Sequence, residues 1–202
     1  MIIDKDKLIF IHIPKNAGTS IKELFFNKTE LETPFKHKTI HEIKEENHKA
    51  YSSYRKFAIV RNPYDRMISW YAYLNGYILN NDLLNTYQWN GGNNSYEVVE
   101  TERPNVSGFK KFVKDPAGEG WGEDWRLRLL NKQCYWIDET VTILKYENLE
   151  KELNEFFGEK MDLQTTNKTV RDSISVYYDK ESLDTVYDRY KEDFKKFNYK
   201  KL

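Results

Sequence analysis

The feature that most confines this chain is a strand–turn–helix unit near its start, LIFIHIPKNAGTSIKELFF, residues 8–26. Residues 8–13 are nearly all apolar, as a strand buried on both faces would be. Pro14 stops the run, and Ile21, Leu24 and Phe25 then recur at helical spacing. The turn between holds Lys15, Gly18, Thr19 and Ser20. A tight turn of this kind exposes several backbone N–H groups at a helix N-terminus, where the dipole favours negative charge. It is not the nucleoside-triphosphate loop G-x-x-x-x-G-K-[ST]. With Gly18 on the second glycine of that motif, Ile13 falls on the first and Thr19 on the lysine; only Ser20 fits. The point charge sits early in the turn instead, at Lys15. On pattern alone, an ordinary βα turn with a solvated lysine explains the loop equally well.

Two further strand–helix units follow. KFAIV (56–60) runs into RNPYDRMISWYAYL, where Asn62 can cap a helix, Pro63 suits its first position and Asp65 can complete a capping box. Met67, Ile68, Tyr71, Leu74 and Ile78 mark its apolar face. VTILKY (141–146) precedes a helix with Leu149, Leu153, Phe156 and Phe157 inward and Gly158 as its stop. A long last helix carries Leu183, Val186, Tyr187, Tyr190, Phe194 and Phe197 on one side. Strands alternating with helices predict an α/β fold, a parallel sheet with helices on both faces. Residues 75–108, rich in Asn, Gly and Tyr, read as a loop or loosely helical insert. FKKFVKD and WRLRLLNKQ read as helix pieces. No internal repeat and no domain boundary is evident, so the expectation is one domain over 1–202 with an irregular or helical insert around 75–131.

Lys plus Arg and Asp plus Glu both number 32, which argues against a chain that coats nucleic acid but not against a local basic pocket. A single cysteine, Cys134, excludes an intrachain disulfide and a cysteine-rich metal site. No apolar run approaches bilayer length, and MIIDKDK lacks the order of a secretion signal, so a soluble cytoplasmic protein without a membrane span is expected.

In open parallel sheets ligands bind beyond the C-terminal strand ends. Lys15, Arg61 and Tyr146 follow the three strands there, which predicts two cationic groups converging at one rim. Ser69 lies two helical turns beyond Arg61 and faces the same anion only if that helix runs alongside. Arg61 has a plainer reading as an ion pair with Asp65 or Glu147. Arg66 reads more readily still as a surface pair.

At this point the residues match a known family. IPKNAGTS and FAIVRNPYDRMISWY together, in order and in strand–turn–helix context, resemble the two nucleotide-binding motifs of the sulfotransferases, in particular the carbohydrate (Golgi-type) branch and its bacterial relatives. The resemblance extends to HKTIHEI, VTILKYENLEKELNEFFG, NKT at 167–169 and YYDKESLDTVYDRYKEDFKKFNY, and is faint over 75–131. It implies a three-layer P-loop-like fold with a central parallel sheet flanked by helices. It also implies sulfuryl transfer from 3′-phosphoadenosine 5′-phosphosulfate (PAPS), without a metal, to an acceptor hydroxyl, for this branch on a carbohydrate. Carried over by position, Lys15, Asn16, Ala17, Gly18, Thr19 and Ser20 would hold the 5′-phosphosulfate, and Arg61 and Ser69 the 3′-phosphate. Relatives often have Gly where this chain has Ala17, a departure that bears on the turn's backbone. Asn167 and Lys168 occupy a loop that in relatives lies near the nucleotide. The displaced lysine then makes sense: Lys15, early in the turn, can stabilise charge developing on the leaving phosphate as the S–O bond breaks.

The acceptor hydroxyl must lose a proton, which calls for a base. His37, in KHKTIHEI, matches a histidine position of relatives and is the candidate catalytic base beside Lys15; the alternative is a solvated loop histidine. His12, inside the first strand, reads as a satisfied core residue. His41 and Glu42 read as helix-surface groups, with Glu42 a fallback base, and His48 as solvated. The rival readings are a nucleotide or small-molecule kinase, which would want a lysine near position 19 and a carboxylate such as Glu147 for Mg²⁺, and a non-catalytic nucleotide-binding module. Tyr71, Tyr73, Tyr77, Tyr87, Trp89, Trp121 and Trp125 could offer stacking faces to sugar rings, though helix core and lid packing explain most of them equally well. Arg126, Arg128 and Lys132 could form a basic acceptor groove.

Overall fold

A computed structural model of the chain describes residues 1–25, 37–74, 77–80, 83–90, 95–99, 106–116, 128–163 and 173–202. Its strands are β1 (Ile2–Ile3), β2 (Leu8–Ile11), β3 (Arg55–Val60), β4 (Tyr77–Asn80), β5 (Leu83–Asn90), β6 (Ser95–Val99) and β7 (Thr142–Lys145). Its helices are α1 (Gly18–Phe25), α2 (Ile40–Glu46), α3 (His48–Ser53), α4 (Pro63–Leu74), α5 (Val106–Lys114), α6 (Leu149–Phe157), α7 (Ile174–Tyr177) and α8 (Lys180–Lys196).

The central sheet has the order β1-β2-β3-β7. β2, β3 and β7 are parallel, with Ile11 beside Ala58 and Val60 beside Lys145; β1 adds a short antiparallel edge. The period of two along each strand splits the core into two layers. Ile9, Ile11, Ala58 and Val60 pack with Ile40 and Ile43 of α2 and with Trp136. Phe10, Phe57, Ile59 and Leu144 pack on the other face with Ile21 of α1 and Leu149 and Leu153 of α6. Helices therefore cover both faces of a mostly parallel sheet, the three-layer α/β arrangement expected from the sequence. A third apolar cluster joins α4, α5 and α8 through Tyr64, Met67, Ile68, Phe109, Tyr190 and Phe194.

Local signals explain most element ends. Asn62 Oδ1 accepts the Tyr64 N–H at 3.0 Å, and Pro63 opens α4. Asp65 does not complete a capping box. The Asn62 N–H is taken by Glu147, and Asp65 turns instead to Arg61. Gly158 closes α6 with φ 76°, the left-handed conformation that glycine adopts without strain. α8 starts at a reciprocal cap between Asp179 and Ser182 and is kinked at Tyr190. β2 ends at Ile11, two residues earlier than the apolar run suggests.

The insert departs from expectation. Where 75–108 reads as loop or loose helix, β4, β5 and β6 form an antiparallel sheet, with Tyr77 opposite Thr86 and Trp89 opposite Tyr96. Thr86, Tyr87, Trp89, Val98 and Val99 are strand formers, and their preference outweighs the Asn and Gly count around them. Ile78 accordingly lies in β4, not on the helix face, because α4 ends at Leu74. Among the described residues, no helix is long and apolar enough to cross a membrane.

Candidate active site

The C-terminal ends of β2, β3 and β7 lie side by side, and the chain leaves each of them at one rim. Arg61 ties the three exits together. Its Nη1 donates to Lys15 O at 3.0 Å, its Nε donates to Asp65 Oδ2 at 2.6 Å, and its guanidinium carbon lies 4.0 Å from the centre of the Tyr146 ring. The residue is almost wholly buried. The plain reading of Arg61 as an Asp65 partner and the reading as a rim cation thus describe the same side chain.

The loop after β2 has an unusual backbone. Lys15 (φ 69°) and Ala17 (φ 58°) are both left-handed, a region L-residues seldom occupy. Left-handed residues in a turn aim successive N–H groups to one side, the basis of anion-binding nests. The loop delivers the chain into α1 at Gly18, with Thr19 and Ser20 in the first turn. Gly18 is required by close approach rather than by φ. A Cβ there would stand 1.7 Å from Nε2 of His12, whose ring lies against the helix start.

α4 runs along this loop. Arg66 Nε donates to Pro14 O at 3.2 Å, and two turns further on the Lys15 ammonium sits 3.9 Å from the centre of the Tyr73 ring. Ser69, buried, lies one turn after Arg66 and one turn before Tyr73, so the condition for it to share a face with the loop is met. Arg66 is not a surface pair. It is fully buried and donates to three backbone carbonyls, Pro14 from the loop after β2 and Leu129 and Asn131 from the segment before Gln133, so one side chain joins two remote segments. Burial lowers its pKa from the usual value, opposed by nearby Tyr190 and Asp193.

Behind the loop stands a residue that no local sequence pattern marks. Gln133 is wholly buried; its Oε1 accepts from Asn16 Nδ2 (2.7 Å) and from the Arg61 N–H (2.9 Å), and its Nε2 donates to Arg61 O (2.8 Å). Asn16 Nδ2 also donates to Ile59 O. The Gln133 and Cys134 N–H groups in turn donate to the buried carboxylate of Asp193 on α8.

His37 and His12 meet at the other side of the loop, ring centres 4.4 Å apart. His37 Nδ1 lies 3.2 Å from His12 O, which can only accept, so the neutral ring carries its proton on Nδ1 and its lone pair on Nε2. His12 is buried, just past β2, and stacked on Phe10. Glu42 is not turned to the loop. It completes the cap of α2 with Thr39 and takes a two-oxygen contact from Arg128 Nη2, which also reaches His37 O. His41 and His48 are exposed.

A model of the sulfotransferase family matches residues 1–200. The chain belongs to that family. No curated protein and no solved structure matches it.

As a sulfotransferase, the chain is an enzyme that moves a sulfuryl group to an acceptor substrate. On this sulfotransferase the two described members of the basic acceptor groove expected from the sequence each pair with a carboxylate, Arg128 with Glu42 and Lys132 with Glu192. Arg126, Asn167, Lys168, Trp121 and Trp125 lie outside the described residues, as do the side chains of Tyr77, Tyr87 and Trp89. Tyr71 packs into the core, whereas Tyr73 is 47 % exposed beside Lys15.

Proposed function

We propose that this sulfotransferase uses PAPS as donor and a carbohydrate hydroxyl as acceptor. The observation that carries the reading is the bond between Arg61 Nη1 and Lys15 O, which joins an anion-favouring loop to a second cationic centre. A donor with two separate anionic ends suits two such centres. The left-handed residues Lys15 and Ala17, the start of α1 at Gly18 and the hydroxyls of Thr19 and Ser20 fit a 5′-phosphosulfate, with Asn16 holding the loop from behind. Arg61, through the donors its two existing bonds leave, and Ser69 fit a 3′-phosphate. Asn167 and Lys168 are proposed for the same nucleotide on the family pattern alone.

When bound, the donor supplies the sulfuryl group and a bisphosphate leaving group. Lys15, on a flexible stem, counters the charge that develops on the bridging oxygen. His37 Nε2 takes the proton of the acceptor hydroxyl as its oxygen bonds to sulfur. Tyr73 offers an exposed ring at the same mouth for a sugar face. A kinase reading is disfavoured: Thr19 stands where its lysine would be, and both oxygens of Glu147 already accept, from the Asn62 N–H and the Tyr199 hydroxyl.

Calorimetry tests the donor. Adenosine 3′,5′-bisphosphate is expected to bind without metal and more tightly than ATP. Binding of ATP that depends on Mg²⁺ would favour the kinase. Incubation with labelled PAPS and a panel of sugars tests the acceptor, and label transferred only to non-carbohydrate hydroxyls would overturn that part.

A further inference from the structure

We infer that Gln133 is a positioning residue that sets the spacing of the two anion sites, and so selects donors that carry an anionic group at both ends. This rests on the donor reading above.

The evidence is a closed circuit of contacts. One amide group holds the loop and the rim at once: Gln133 Oε1 accepts from Asn16, between the two left-handed residues, and from the Arg61 N–H, while Nε2 donates to Arg61 O. The amide thus pairs with Arg61 as a neighbouring strand would, one residue past the end of β3. The side chain of Arg61 closes the circuit on Lys15 O. Gln133 itself is fixed from the far side, its N–H and that of Cys134 held by Asp193 at 2.8 and 2.9 Å. Arg66 laces the preceding residues to the loop in the same way, from Leu129 O and Asn131 O to Pro14 O. A side chain that merely filled the core would not need to satisfy both polar groups of one backbone residue and a loop amide.

Preorganised spacing matters only to a ligand that spans both sites. For such a ligand the second contact is intramolecular, and its gain depends on how well the two sites are held at the matching distance. A ligand with one phosphate engages one site and is indifferent to the spacing.

The test compares adenosine 3′,5′-bisphosphate, adenosine 5′-phosphate and adenosine 3′-phosphate by calorimetry on the wild type and on Gln133→Met, which keeps the side-chain length and removes the amide. The variant is expected to bind both monophosphates within about threefold of wild type and the bisphosphate about tenfold or more weakly. An equal loss for all three ligands, or no loss, overturns the inference. If Gln133→Met does not fold, Gln133→Asn carries the same comparison with the same outcomes, because it keeps a buried amide but is one methylene too short to reach both Asn16 and the backbone of Arg61. The wild type separates the two failures. If it binds the bisphosphate no more tightly than the monophosphates, the donor reading falls and this inference with it. A failure confined to the variants overturns the inference alone.

Discussion

Lys15→Ala removes an ammonium that rests over Tyr73 and leaves the packed loop backbone in place. Loss of one stabiliser of the leaving group lowers the rate by roughly 10²–10³-fold. Single-turnover rates and melting curves on the same preparation check this, and unchanged chemistry in a folded variant would remove Lys15 from the mechanism. His37→Ala should leave donor binding nearly intact and lower transfer by roughly 10²–10⁴-fold. Only a neutral imidazole accepts a proton, so the wild-type rate should rise with pH through the histidine range and the variant should lack that acid limb. A flat wild-type profile would speak against His37 as the base. Ala17 poses a different question, since its φ of 58° is strained for any L side chain. Ala17→Gly relieves about 1–2 kcal/mol of that strain and costs about 0.5–1 kcal/mol in chain entropy. Its melting temperature should hold or rise slightly; a clear fall would mean that the loop in solution is not left-handed there.

At the scale of elements, α2 holds His37 in place through its N-terminal cap. Burial by itself raises the Glu42 pKa, but the hydrogen bonds from Arg128 and Thr39 and the Arg128 charge outweigh it, and the carboxyl sits below its ordinary value. A folded-state pKa below the unfolded one contributes stability that is complete above the ordinary carboxylate range. It is lost as pH falls through the lowered value. Urea midpoints of the wild type should therefore drop in that acid window, and Glu42→Gln should drop less there. Equal acid sensitivity in both would show that the cap contributes nothing to stability. α8 is pinned in the same manner where it kinks: the Tyr190 hydroxyl donates to Leu130 O at 2.8 Å. Tyr190→Phe leaves that carbonyl without its buried donor and should cost about 1–3 kcal/mol by urea unfolding.

For the whole molecule, the site exists because three parallel strands end together and distant segments are laced across their ends. Arg66 is the test of that lacing. Arg66→Met leaves two buried carbonyls and one half-buried one short of a donor and should lower stability by more than about 3 kcal/mol, with the urea m-value unchanged. A loss below 1 kcal/mol, on the order of a surface substitution, would mean that water replaces the guanidinium. Much of this architecture is legible in the sequence where the cause is local. The strand–turn–helix units, the Asn62 cap, the Gly158 stop and the alternation that implies a parallel sheet all depend on residues within a turn or two of each other. The strands of the insert were equally local, yet Asn and Gly hid them. What only the tertiary structure decided is which polar side chains meet. Asn16 and Gln133 are 117 residues apart, Arg128 and Glu42 86, and Arg66 and Asn131 65. A glutamine or arginine in a polar stretch reads as solvated, because its own neighbours do not require it. It becomes a structural part only when folding buries backbone groups from remote segments around it, and those groups must then find a partner.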